Sequence, residues 1–160
     1  MQNSEKKPLK SHCPINFSVE MFGDKWSLLI IRDIVFWGKR TYGEFLNSDE
    51  RIATNVLALR LVELEKKGLL LKTADPDDNR KAFYKLTEKG LDLIPLLLAM
   101  VSWSEKYDSK SQAKKQRKFV LEIRNEVHDV AARIRHQVQN GDSVFAQRLS
   151  DGTLHPKQKS

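Results

Sequence analysis

The stretch TYGEFLNSDERIATNVLALRLVELEKKGLLLKTADPDDNRKAFYKL, residues 41–86, decides the fold. Tyr42 to Asn47 reads as a short helix burying Tyr42, Phe45 and Leu46, and the polar run Asn47-Ser48-Asp49-Glu50-Arg51 reads as a turn. A longer helix from about Ala53 to Lys67 carries Leu57, Leu61 and Leu64 on one stripe and stops at Gly68, where a left-handed backbone is cheap. Leu69 to Ala74 and Lys81 to Leu86 are short apolar β-like runs joined by Asp75-Pro76-Asp77-Asp78-Asn79-Arg80.

Helix, turn, helix and basic hairpin in that order match a winged helix-turn-helix, in which one helix braces phosphates, one enters a major groove and the hairpin reaches the flanking backbone. On a 3.6-residue wheel, the face of the second helix opposite its leucine stripe carries Asn55, Ala58, Leu59 and Val62, with Thr54 at the open N-terminal end. A solvated helix face would carry charge there. A surface made to face a groove explains the lack of charge better than water does.

Outward from this stretch the chain is punctuated. Pro14 to Phe22 fits a short helix ending at Gly23, and Asp24 is placed to cap the next. Lys25 to Trp37 places Trp26, Leu29, Ile30, Ile34 and Trp37 at helical spacing and is ended by Gly38, so it is read as the scaffold helix of the core. Thr87 is read as capping one long helix that holds Leu91, Ile94, Leu98, Val101 and Trp103, with Pro95 near its start. After a basic break at Ser109 to Lys118, the residues Phe119, Ile123, Val127, Val130, Ile134 and Val138 predict a second long amphipathic helix ending near Gly141. From Asp142 onward the composition suggests a frayed tail.

The expected organisation is a flexible basic tail (1–12), a winged helix-turn-helix domain (13–108), an extra C-terminal amphipathic helix (109–140) and a flexible tail (141–160). The fold class is mainly α with a small β-hairpin wing.

With 160 residues, 40% hydrophobic and 31% charged, the chain is long enough for one domain with a real core. A net charge of +7 implies an anionic partner, nucleic acid or a membrane surface. The longest apolar run, Leu93 to Val101, is too short to span a bilayer, and the basic N-terminus lacks an apolar segment of the signal type, so the expected location is cytoplasmic. The single Cys13 rules out an internal disulfide framework. His12, His128, His136 and His155 lack metal-ligand spacing, and no phosphate loop, dinucleotide fingerprint, nucleophile elbow or HExxH run occurs. No catalytic residue, metal or cofactor is expected.

Cys13-Pro14, FGDKWSLLIIRDI, TYGEFLNSDERIATNVLALRLVELEKKGLL and YKLTEKGLDLIPLLLAMVSW together resemble the HxlR family of bacterial transcriptional regulators over about residues 13–107. The resemblance implies a dimeric winged helix similar to MarR-type proteins, with N- and C-terminal helices at the dimer interface. It also implies that Cys13 is a candidate sensor of oxidants or electrophiles, against the plainer reading of a small thiol packed at that interface. Two departures stand out. Thr41-Tyr42 replaces the family's common Arg-Phe pair, with Arg40 one place earlier, and the wing reads DPDDNR without a Pro-Pro turn.

Thr54, Asn55 and Leu59 are expected near base edges, with Ala58 on the same DNA-binding face and Arg60 near phosphate. Asn can pair with adenine, and Leu can pack on a thymine methyl. Arg80, supported by Lys81, is expected at the minor groove or its phosphates, unless Asp77 or Asp78 pairs with it in solvent. Lys25, Ser27, Lys39 and Arg40 are candidate phosphate contacts. The expected partners are double-stranded DNA and a second copy of the chain, with a small-molecule effector admitted and no membrane. The alternatives are a winged-helix adaptor that binds protein or ligand without reading DNA, and a small enzyme acting through Cys13.

Overall fold

The computed structural model describes residues 11–75, 81–148 and 154–157. Its elements are helices α1 (Pro14–Phe22), α2 (Lys25–Trp37), α3 (Tyr42–Leu46) and α4 (Thr54–Lys66), strands β1 (Leu70–Ala74) and β2 (Ala82–Leu86), helices α5 (Glu88–Leu91), α6 (Ile94–Tyr107) and α7 (Arg117–Gln139), and strands β3 (Ala146–Arg148) and β4 (Leu154–Pro156). Local punctuation acts where the chain places it. Asp24 accepts from the Trp26 and Ser27 amides at the start of α2, and Gly38 ends that helix at φ 65°. Gly68 takes φ 70° after α4, as its left-handed position requires.

Strands β1 and β2 form an antiparallel hairpin in the register Leu70↔Leu86, Lys72↔Tyr84 and Ala74↔Ala82. Thr41 bridges to Phe83, and Arg40 O accepts from the Tyr84 amide at 2.7 Å, so the segment before α3 lies along the outer edge of β2. This is the winged helix-turn-helix arrangement, and its core gathers Ile30, Ile34, Phe45, Leu57, Leu61, Leu64, Leu70, Tyr84, Leu86 and Leu98.

Helix α2 is more enclosed than a single apolar stripe predicts. Ile30, Ile31, Ile34, Val35 and Phe36 are all buried, whereas Trp26 and Leu29 are half-buried and Trp37 is exposed on its outer edge. The reason is that α2 is covered from two sides, by α4 and β2 on one and by α7 and β3 on the other.

The single long helix expected after Thr87 is two helices. Thr87 caps the short α5, accepting from the Gly90 amide, and the chain restarts as α6 with Pro95 in its first turn. Proline has no amide to donate to the preceding turn and its ring crowds that carbonyl, so the helix ladder breaks before it and resumes after it. Trp103 lies on α6, where it is 66% exposed.

Helix α7 runs beside α6 and buries Val120, Ile123, Val130, Ala131 and Ile134, with a kink at Glu126 (φ −141°, ψ 47°) that neither proline nor glycine marks. Its apolar stripe covers the core of its own subunit. Arg135 clamps its far end to α5 through Glu88 and Asp92, both within 2.8 Å.

The frayed tail expected from Asp142 is instead packed where it is described. The Val144 and Phe145 amides donate to Val35 O and Phe36 O at the end of α2. The Phe145 ring lies 5.5–5.7 Å from Phe36, Trp37 and Phe119. The carbonyls at a helix end lack partners within the helix, so a passing strand satisfies them while its aromatic residue extends the core.

Removing the Phe145 ring should therefore cost about 2 kcal/mol, below the value for a fully buried phenylalanine because this ring is only half-enclosed. For Phe145→Ala the thermal midpoint should drop by roughly 4–8 °C; an unchanged midpoint would show that the segment contributes nothing to the fold. A second expectation concerns pH. The hydrogen bond from Arg32 holds Glu50 down to about 2, against an ordinary value of 4.5. A depressed carboxyl stabilises the fold above its unfolded value and loses that contribution as pH falls through the folded one. Denaturant midpoints should thus fall between pH 4.5 and about 2, and Glu50→Gln should flatten that fall.

Candidate nucleic-acid interface

Helix α4 divides cleanly. Leu57, Leu61 and Leu64 are at most 2% exposed, whereas Thr54, Asn55, Ala58, Leu59 and Val62 all face solvent, with Leu59 52% and Val62 46% exposed. Exposed branched aliphatic side chains beside an amide and a hydroxyl form a surface that can meet methyl groups and base edges. The N-terminus of α4 is fixed from α3, since the Tyr42 hydroxyl donates to Thr54 O at 2.8 Å.

Helix α3 starts with a reciprocal cap. Glu44 donates its amide to Thr41 Oγ1, and its carboxylate accepts from the Thr41 and Arg40 amides at 3.0 and 2.6 Å. The TYGE sequence therefore uses position 41 as a helix cap, which a hydroxyl supplies and an arginine would not.

The basic residues divide into outward and inward groups. Lys25 is exposed at the start of α2, its ammonium 4.7 Å from the Trp26 ring centroid. Lys81 is exposed at the base of β2. Arg40 is half-buried, and an added Cβ at Gly141 would come within 2.5 Å of its Nη2, so the guanidinium packs against the turn that follows α7.

Arg60 is drawn back from the exposed, uncharged face of α4. It pairs with Glu63, and its Nε lies 3.2 Å from Asp24 Oδ1 in an alignment that makes no hydrogen bond. Lys39 points inward, 2.9 Å from Asp33 Oδ2 and 2.7 Å from Ser48 Oγ, with its side chain 18% exposed. Ser27 is 1% exposed and its amide is taken by Asp24, so burial removes it from the surface on which a phosphate would lie. Arg80, with Asp77 and Asp78, lies outside the described residues.

Cys13 is exposed and immediately precedes α1. As a thiol it makes no capping hydrogen bond, yet the Asn16 and Ile15 amides of the first helical turn favour its thiolate and lower its pKa. Among the described residues no cluster of His, Cys, Asp and Glu could hold a metal ion, and no helix is long and apolar enough to cross a membrane.

Sequence reasoning overlooked Asp33. It is 2% exposed and central to the contacts around the helix-helix turn. The signal was available as a charged pair, Arg32-Asp33, inside an otherwise apolar run.

Among curated proteins, the chain is 35% identical over 88 residues to the uncharacterized HTH-type transcriptional regulator sll1512 of Synechocystis, covering 55% of this chain and 64% of that one. It is 34% identical over 105 residues to YybR of Bacillus subtilis, also described as an HTH-type transcriptional regulator, covering 64% of this chain and 83% of that one. Among solved structures, the redox regulator HypR in its oxidized form superposes with a TM-score of 0.54 at 28% identity, over 61% of this chain and 99% of HypR. Residues 21–112 match the HxlR-like helix-turn-helix family, a span that includes α2 to α6 and stops before α7. The chain belongs to the HxlR-like helix-turn-helix family.

Proposed function

We propose that this protein is a DNA-binding transcriptional regulator that acts as a homodimer on an inverted-repeat operator. The observation that carries this reading is the exposed, uncharged face of α4, held between a capped α3 and the β1–β2 wing. Thr54, Asn55, Ala58 and Leu59 are assigned to base edges. Lys25, Arg40, Lys81 and the wing-tip Arg80 are assigned to the phosphate backbone and the adjoining minor groove. The printed names of the curated relatives support the regulatory role.

Two unpartnered apolar faces support the dimer. Helix α1 has no buried residue and exposes Ile15, Phe17 and Val19. Helix α6 exposes Leu96, Met100, Trp103 and Tyr107 at i, i+4, i+7 and i+11, one side of the helix. A nine-residue helix with its apolar side in water is not stable alone, and a second copy offers the same two faces in return.

Cys13 stands at the head of α1, beside this interface, with its thiolate favoured. Together with the likeness to a redox regulator, this supports oxidation of Cys13 as a means of changing the angle between the two reading heads.

Two-fold symmetry places the half-sites one helical turn, roughly 10 bp, apart. Selection from a random duplex pool should enrich an inverted repeat, and a mild thiol oxidant should change that enrichment in the wild type but not in Cys13→Ser. No enriched sequence under either condition would leave an adaptor that does not read DNA. On the selected operator, Asn55→Ala should lose about 1–3 kcal/mol of discrimination at a single base position. Trp103→Glu should halve the mass found by sedimentation equilibrium; an unchanged mass would remove α6 from the interface.

A further inference from the structure

The loop between α3 and α4 is joined to the scaffold helix through one enclosed carboxylate. Asp33 Oδ1 accepts from Arg32 Nη2 at 2.6 Å and Nε at 2.9 Å. Its Oδ2 accepts from Lys39 Nζ at 2.9 Å and from the hydroxyl of Ser48, and Lys39 Nζ also donates to Ser48 Oγ at 2.7 Å. Arg32 continues to Glu50 at the far end of the same turn, with one of its two hydrogen bonds at 2.9 Å. Ser48 and Glu50 are thus both tied to adjacent residues of α2.

The next residue, Arg51, has φ 53°, a left-handed conformation that a side chain with a Cβ rarely adopts. Such a backbone persists where its surroundings over-determine it. Three residues after Arg51 the chain enters α4, so the direction in which Thr54 and Asn55 face depends on this turn.

We infer that Lys39, Asp33 and Ser48 are positioning residues that set the presentation of α4 to DNA, and that Lys39 acts through this triad without contacting phosphate. The inference rests on the DNA-reading role of α4 proposed above. It assigns Lys39, a basic residue in the loop before the reading helices, to specificity in place of charge neutralisation. A buried carboxylate paired with a half-buried ammonium and a shared hydroxyl is geometrically exacting, because each group loses a partner if another moves. A surface lysine meeting phosphate has no such requirement.

The test uses the full chain with Lys39→Met and Ser48→Ala, the second of which changes no charge and serves if the first does not fold. In the free protein, amide hydrogen exchange over residues 47–53 should accelerate in either variant while α2 and α6 stay protected. Unchanged exchange there overturns the inference whether or not DNA is read. On DNA, affinity for the selected operator should fall by roughly tenfold in both variants. The slope of log affinity against log salt should stay at the wild-type value. A slope reduced in magnitude by about 0.9 in Lys39→Met, with Ser48→Ala indistinguishable from wild type, makes Lys39 a phosphate ligand and overturns the proposal. Failure of the wild type itself to prefer any operator defeats the regulator reading separately, and the exchange measurement still decides the role of the triad.

Discussion

Enclosure of helix α2 is the constraint from which the remaining architecture follows. A helix with Ile30, Ile31, Ile34, Val35 and Phe36 buried around most of its circumference needs cover on more than one side. The unit of α3, α4 and the β1–β2 hairpin supplies one side. The α7 helix and the strand segment around Phe145 supply the other. Each layer is therefore located relative to the other by packing on a shared helix, and the exposed face of α4 is held at a fixed angle to the body of the subunit.

Polar groups on the same helix refine that angle. Asp24, already occupied in capping α2, approaches Arg60 near the middle of α4. Asp33, about two and a half turns further along, takes the turn that leads into α4. A carboxylate enclosed in an apolar helix is tolerable only with partners for both oxygens, and Arg32, Lys39 and Ser48 provide them. Basic residues around α3 and α4 accordingly divide into two kinds. Lys25 faces water beside the Trp26 ring, while Lys39 is bound to Asp33 and Ser48, and Arg60 to Glu63.

What was legible in the sequence was what local chemistry decides. Gly38 and Gly68 end helices because each sits where φ must turn positive, and Asp24 and Thr87 start helices because their side chains accept the first free amides. The leucine stripe of α4 and its uncharged opposite face followed from periodicity alone. The break between α5 and α6 was less visible, because Pro95 can sit in the first turn of a new helix as readily as it can bend an old one. Side-chain direction was least legible. Nothing in the spacing of Lys39 or Ser27 distinguishes a residue at the surface from one drawn inward by a distant carboxylate or by packing. The segment after Asp142 looked frayed for the same reason: its order comes from the carbonyls of Val35 and Phe36, which composition cannot reveal.

That last contact bears on how the molecule assembles. The residues that close the outer side of α2 lie more than a hundred positions further along the chain, so the scaffold helix is synthesised long before its cover. Until Phe145 arrives, Val35 and Phe36 present an apolar surface and unfilled helix-end carbonyls to the surroundings. Closing so long a loop costs entropy that local helices do not incur, and it places this contact late in folding. A nascent chain of this protein thus carries a sticky, half-covered helix while the residues up to Phe145 are made, the kind of surface on which chaperones act.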